Sequence, residues 1–328
     1  MNTNRLYNTM PDNKQIKVTL TGDRHIDSLL SEMENFWDII RYIKPSSGEI
    51  PQIPGIDIYG EVIPYNGVVG GDHIIYVDFN KRYDLDRRIA EAQKRNHPDV
   101  VEKLKLNKHR AGVLVADVAG HKITDAMLSA MLHQAFLTGV QYELRLHGEV
   151  TPELFESLNT RFYNSSSFRK FITLLYGEIS DNGKFRFLTA GHPKPVVFSY
   201  KFDKLIKVCM ENVIHYPPMG TLPSKEDVDC KRNFSRLGYK QRYNVNDITL
   251  MGEWDILLLF TDGLTDHYNN NEEFYFPDRL ESLLRKVKDK SAKEIFTSIH
   301  DDVLSFASPS DDVTIVVIKK GGGTPSGV

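Results

Sequence analysis

The sequence predicts an α+β fold built on antiparallel sheets. Three observations carry that prediction. Short apolar runs bounded by Gly, Pro, Asn and Asp recur along the chain, as strands do. Helical periodicities stand between groups of these runs, often in pairs, instead of after each one. The steady strand–helix alternation of a parallel sheet is missing.

Residues 1–20 are polar and offer no element. Residues 23–44 read as a helix: Ile26, Leu29, Leu30, Met33, Trp37 and Ile40 recur at three- and four-residue steps, and Pro45 stops it. PSSGEIPQIPG at 45–55 has the composition of a linker. Two strands follow, IDIYGEVIP from Ile56 and HIIYVDF after a Gly-Gly turn. Residues 81–110 break that rhythm with helical spacing at Ile89, Val100, Val101 and Leu104. They carry ten Lys/Arg against five Asp/Glu, and so read as a basic helical insertion between two strands. GVLVADV (112–118) is a continuous apolar strand. Thr124 has the chemistry of a helix cap, and the helix it opens runs to about Leu146, where Gly148 ends it. The first half of that helix is apolar nearly all round, at Met127, Leu128, Met131, Leu132 and Phe136, which predicts burial. Thr151-Pro152 opens a second helix with proline in its first turn. FITLLYGEI, KFRFLTA and PVVFSY are three strands split by DNG and AGHPK turns. Residues 210–250 follow no regular pattern. DILLLF (255–260) is a buried strand, helices near 277–288 and 291–306 follow, and VTIVVIK (313–319) is the last strand before a flexible tail at 321–328.

At a loose prior of ~150 residues per domain, 328 residues allow one large domain or two ordinary ones. Hydrophobic residues make up 41% and aromatics 10%, enough for a sizeable core. The net charge of −3 offers no general attraction for nucleic acid or an anionic membrane. No apolar run approaches the ~18 residues that span a bilayer, and MNTNRLYNTMPDNKQ lacks the apolar stretch of a secretory signal. Cys209 and Cys230 form neither a CxxC metal site nor a disulfide framework. The expectation is a reduced, cytoplasmic protein.

The aspartates are the informative residues. Asp72 directly precedes HIIYVDF, Asp117 closes GVLVAD, Asp262 follows DILLLFT, and Asp311 and Asp312 directly precede VTIVVI. Each sits at one end of a strand too apolar to hold an unpaired charge. In an antiparallel sheet the start of one strand and the end of its neighbour share an edge, so these carboxylates can gather at one rim. Clustered carboxylates raise one another's pKa unless a cation neutralises them. With only oxygen donors nearby the matching cations are hard, Mg²⁺ or Mn²⁺. Two such ions are the usual device for attacking a phosphate ester. An aspartate beside a strand is also ordinary turn chemistry; four placed alike, next to GGD, DVAG and TDG, outweigh that alternative.

VVGGDHIIYVDF, LVADVAGHKITDAM, FITLLYGEI, FLTAGHPKPVVF, LLLFTDGLTDH and SDDVTIVVIKK stand in the order found in bacterial metal-dependent PPM-type serine/threonine phosphatases. The chain resembles most nearly the branch typified by stage II sporulation protein E and RsbU, over roughly residues 56–319. The resemblance implies a β-sandwich of two antiparallel sheets flanked by helix pairs, in a domain over 56–320, with a site for two Mn²⁺ or Mg²⁺ ions at one rim. It implies Asp72 as the acidic ligand of the first block and Asp117 as the bridge between both ions, with the Val118 carbonyl as an additional ligand. Asp262 and Asp311 would hold the second ion. Asp117 and Asp262 would thus act in catalysis through metal-bound water. Asp312 stands where the family often has Asn or Asp and reads as a support for the ligands. The implied substrate is phosphoserine or phosphothreonine on a small STAS-domain anti-sigma antagonist. The family loop commonly reads D-V-S-G-H-G; here Lys122 takes the place of the last glycine. It would offer a point charge to the substrate phosphate, or stand as a solvated lysine at a helix start.

The resemblance also implies that the helix at 23–44, ahead of residue 56, regulates the domain and pairs two chains into a homodimer; a helix that simply covers the core of its own domain is the alternative. His121 and His192 are candidate general acids, although loop hydrogen bonding and turn packing account for them more simply. The insertion at 81–110 is a solvated face or a dock for an acidic protein surface. From another class, a catalytically idle module that sequesters a phosphorylated partner is the rival to the enzyme.

Overall fold

The computed structural model describes residues 24–43, 49–65, 71–120, 123–165, 170–206, 213–228, 232, 235–248 and 252–321. The polar start, the start of the linker, Lys122, His121, Cys209, Cys230 and the tail beyond Gly321 lie outside the described residues. Two compact units divide between Tyr42 and Ile43. The first holds all but the last residue of the helix α1 (Arg24–Ile43), in which Ile26, Leu29 and Met33 are exposed.

The second unit is a sandwich of two five-stranded antiparallel sheets. One sheet has the order β2 (His73–Asp78), β3 (Arg110–Val118), β4 (Ile172–Ser180), β5 (Phe185–Ala190), β8 (Asn246–Ile248). The other runs β1 (Ile56–Ile63), β10 (Val313–Lys320), β9 (Ile256–Phe260), β6 (Val196–Ser199), β7 (Lys204–Ile206). Helices α5 (Ile123–Leu146) and α6 (Pro152–Ser165) cover the first sheet, together with α3 (Leu85–Lys94) and α4 (Pro98–Leu106) of the insertion. Helices α8 (Asp278–Val287) and α9 (Ala292–Phe306) cover the second.

This layering explains the unbroken apolar strands. Ile74, Tyr76, Val113, Val115, Leu257 and Val316 point between the sheets. Their neighbours Ile75, Val77 and Leu114 point to α5 and α6, and Leu258 and Ile315 to α8 and α9. A strand covered on both faces needs side chains of one kind throughout.

Four expectations change. The helix α5 already begins at Ile123, so Thr124 is in its first turn and does not cap it. Met127 and Met131 are each 46% exposed, because α5 has only one face on the sheet; Leu132 and Phe136 take that face and are fully buried. The second half of the predicted linker belongs to the core: Ile53 is buried between the sheets, and Gln52 donates its backbone N–H to Asp78 Oδ2 at 3.1 Å. The basic insertion, α2 (Phe79–Arg82), α3 and α4, is not simply a solvated face, since Phe79, Leu85, Ile89, Val101 and Leu104 are buried.

Candidate metal centre

The aspartates come to one rim as two groups, one from each sheet. In the first sheet His73 is registered with Ala116, so Asp72 and Asp117 face each other just beyond it. In the second sheet Ile315 is registered with Phe260, which brings Asp311 and Asp312 against the Thr261–Asp262 end of β9. The sequence placed all of these carboxylates along shared strand edges; the two groups in fact meet across the sandwich.

Asp72 is buried, and its Oδ2 accepts from the hydroxyls of Thr261 and Thr314, both at 2.7 Å. Burial raises its carboxyl well above the usual range, with the Asp117 charge second and the two hydroxyls opposing. Asp117 is pushed up to about 7, first by burial and then by Asp262, Asp311 and Asp312, while a hydrogen bond with Asp72 lowers it. Asp262 is the first residue of a short helical turn, α7 (Asp262–Thr265). It is exposed on its outer side, yet lost hydration, Asp266 and Asp311 raise its pKa, and the Gly263 amide opposes them. Asp311 is exposed, and its Oδ1 accepts from the Asp312 amide at 2.8 Å. Asp312 is buried and accepts from two backbone amides, Tyr65 on Oδ1 and Gly71 on Oδ2, both at 2.8 Å.

Gly71 is the point where these elements converge. Its carbonyl accepts from Ser129 Oγ on α5 at 2.7 Å and from the Val118 amide at 3.4 Å. A Cβ on Gly71 would lie 2.4 Å from the carbonyl oxygens of both Val118 and Gly120, so only glycine fits. The loop after Val118 is fixed in turn by Asp125, fully buried and ion-paired with Lys170, whose Nζ also donates to the Ala119 carbonyl at 3.0 Å.

Among the described residues no three His, Cys, Asp or Glu side chains stand close enough together to hold an ion. The carboxylates converge without forming a closed ligand set. Their chemistry nevertheless fits a hard divalent cation. The candidate donors are carboxylate oxygens and a backbone carbonyl, and the charges that act most strongly on Asp117 are all carboxylates.

His192 is buried in the turn before β6, with Nδ1 3.0 Å from Thr173 Oγ1. Burial lowers it to about 3, against a weaker opposing contact with the Phe260 backbone. It is neutral at ordinary pH and is bound to β4 through Thr173. Sequence reasoning missed Thr261, Thr314, Ser129, Asp125 and Asp266. The threonines carried a signal, a lone hydroxyl beside each of the apolar runs ILLLF and IVVI. Asp266 also carried one, four residues after Asp262 and thus one helical turn away.

The family model described as stage II sporulation protein E (SpoIIE) matches residues 107–321. The phosphoserine phosphatase RsbP of Bacillus subtilis (strain 168) is 26% identical over 216 residues, 65% of this chain and 46% of RsbP. The chain thus spans about half the length of that relative. Among solved structures, the SiaA-PP2C domain of Pseudomonas aeruginosa aligns with a TM-score of 0.58 at 13% identity, covering 90% of this chain and 98% of that one. The RsbU and RsbW domains of Rv1364c from Mycobacterium tuberculosis align with a TM-score of 0.57 at 20% identity, covering 84% and 63%. The PP2C domain of SpoIIE from Bacillus subtilis, solved with a fragment of its regulatory domain, gives 0.53 at 14%, covering 82% and 64%. At these identities the likeness to the solved structures is one of fold. The match over most of the chain and the six ordered blocks give one assignment: the chain belongs to the stage II sporulation protein E family, in the SpoIIE/RsbU branch of PPM-type phosphatases.

Proposed function

We propose that the protein is a Mn²⁺- or Mg²⁺-dependent phosphatase that hydrolyses phosphoserine or phosphothreonine on a regulatory protein of the STAS-domain type, in the cytoplasm. One observation carries the reading: carboxylates from both sheets converge on one rim, where Asp117, raised to about 7 first by burial, feels the charges of Asp262 and Asp311 and hydrogen-bonds Asp72. When bound, two divalent cations would supply an activated water as nucleophile and neutralise charge on the phosphate. Asp72, Asp117, the Val118 carbonyl, Asp262 and Asp311 would hold them. Thr261 and Thr314 fix the orientation of Asp72. Asp312 ties the Gly71 loop to β10 and so sets the gap in which the ligands stand. Lys122 would offer a point charge to the phosphate.

Hydrolysis of a chromogenic aryl phosphate with Mn²⁺ and with EDTA tests the reading. Turnover that requires Mn²⁺ and disappears in Asp262→Asn supports it. A wild-type protein that hydrolyses nothing but retains a phosphorylated STAS protein is the idle binding module instead. The exposed Ile26, Leu29 and Met33 on α1 support a further part of the proposal, that this helix pairs two chains into a homodimer.

A further inference from the structure

The rim leaves the basic insertion without a task. Its two longer helices, α3 and α4, meet the C-terminal turns of α5 around a cavity of about 30 Å³. Three arginines line it, Arg88 and Arg95 from the insertion and Arg145 from the last turn of α5, together with His97. The one carboxylate on the wall is Glu91, which lies 4.0 Å from Arg95 and 3.4 Å from Arg87. Val100 and Leu144 supply part of an apolar floor, against which a charge is less screened than in open water.

The wall is held in place. Arg88 lies over the Tyr83 ring, 5.2 Å from its centroid, and donates to the Gln141 carbonyl at 3.5 Å. Asn96, at φ 57°, makes the left-handed turn between α3 and α4, and the His97 amide closes it onto the Ala92 carbonyl at 3.1 Å. Arg95 and His97 flank that turn and so enter the cavity from a fixed backbone. His97 makes no cap bond to α4 with its side chain.

We propose that this cleft binds the phosphate group of a small organic phosphate. The wall carries three positive charges against one negative. That net charge matches a phosphate monoester, at about −1.5 to −2 near neutral pH, better than a single carboxylate. Guanidinium is the side chain whose forked donors fit phosphate oxygens. The volume equals on the order of two water molecules, so the cleft takes the anionic group and leaves the rest of the ligand outside. The site stands apart from the rim and does not depend on the phosphatase reading. Arg145 and Ile123 occupy opposite ends of α5, roughly 30 Å apart at helical rise.

The test uses the full chain in EDTA, with glycerol 1-phosphate as the probe and citrate and sulfate as comparisons, followed by calorimetry and by NMR. The expected result is millimolar or tighter binding of glycerol 1-phosphate, with citrate and sulfate weaker. Arg95→Gln with Arg145→Gln should weaken it by about tenfold or more, since each guanidinium–phosphate contact is charge-assisted. The same double variant should melt as the wild type does and hydrolyse an aryl phosphate at the wild-type rate. No binding by wild type at ~10 mM, a limit that corresponds to under 3 kcal/mol, overturns the proposal. Equal binding by the double variant overturns it as well, because the phosphate then sits elsewhere, at the rim above all. Citrate or sulfate binding as tightly as the ester reduces the site to an unselective basic patch and overturns the assignment to phosphate.

Discussion

Asp312 and Asp311 are adjacent and do different work. Asp312 holds two backbone amides with its two oxygens, whereas Asp311 is exposed toward Asp117 and Asp262. Asparagine has a single acceptor oxygen, so Asp312→Asn leaves one amide, of Tyr65 or Gly71, unpaired. It should cost about 1–3 kcal/mol, read as a lower denaturation midpoint at unchanged slope. Asp117 gives a pH prediction. Its carboxyl stays protonated in the metal-free fold up to about 7, while in the unfolded chain it ionises near pH 4, roughly. The stability from that difference is fully present below the unfolded value and is lost as pH rises through the folded one. Asp72 and Asp262 shift in the same direction. The metal-free protein should therefore melt at falling temperature between about pH 4 and 7, and Asp117→Asn should flatten part of that slope. Mn²⁺ affinity should climb over the same interval, because the ligands must be deprotonated to bind. A Mn²⁺ titration that is flat in pH would contradict the assignment.

Among the elements, α7 shows best what was legible and what was not. The strands were readable because most are covered on both faces and so show as unbroken apolar runs. β7 and β8, three residues each, were not, because edge pairing and not their own composition makes them strands. The helical turn of α7 was hidden in TDGLTD for the same reason: it exists because Gly263 lets the chain pass the start of β10. A Cβ on Gly263 would stand 1.9 Å from the Asp312 carbonyl oxygen. Gly263→Ala should destabilise the domain by about 1–3 kcal/mol and weaken Mn²⁺ binding, since the same shift displaces Asp262. Met127 and Met131 were misjudged because composition cannot say which face of a helix the sheet takes. For α1 the periodicity was enough to find the helix but not what covers it. On the dimer proposal, Leu29→Lys with Met33→Lys should give a monomer by light scattering, with the domain melting as before. A wild-type chain that is already monomeric at micromolar concentration refutes the dimer.

Across the whole molecule, the sheets contribute one group of carboxylates each, so the packing between them sets the spacing of the site. The sequence marked the four strand ends but not which strands share a sheet, because that depends on pairing between distant segments. Phe187 is buried in the core between the sheets, stacked on Phe185 at 5.6 Å. Phe187→Ala should cost about 3–5 kcal/mol and lower Mn²⁺ affinity although it touches no aspartate. Mn²⁺ at a hundred times its dissociation constant should stabilise the wild type by about 2.7 kcal/mol, and Asp117→Asn and Asp262→Asn by much less. Equal stabilisation of all three would place the cation elsewhere.

The register of β1 with β10, Ile56 against Lys320, joins the first strand of the sandwich to its last. A ribosome adding roughly 5–20 residues per second releases β10 on the order of ten seconds or more after β1. The sheet of β2 to β5 can pair in that interval, since its strands lie closer together in the chain. β1 cannot, and its Ile56, Ile58 and Ile63 wait without their cover. The nascent domain therefore has Asp72 and Asp117 long before Asp262 and Asp311 emerge. The proposed metal site is completed only with the final strand, so that an interrupted translation product carries the fold's first half and an unfinished ligand set.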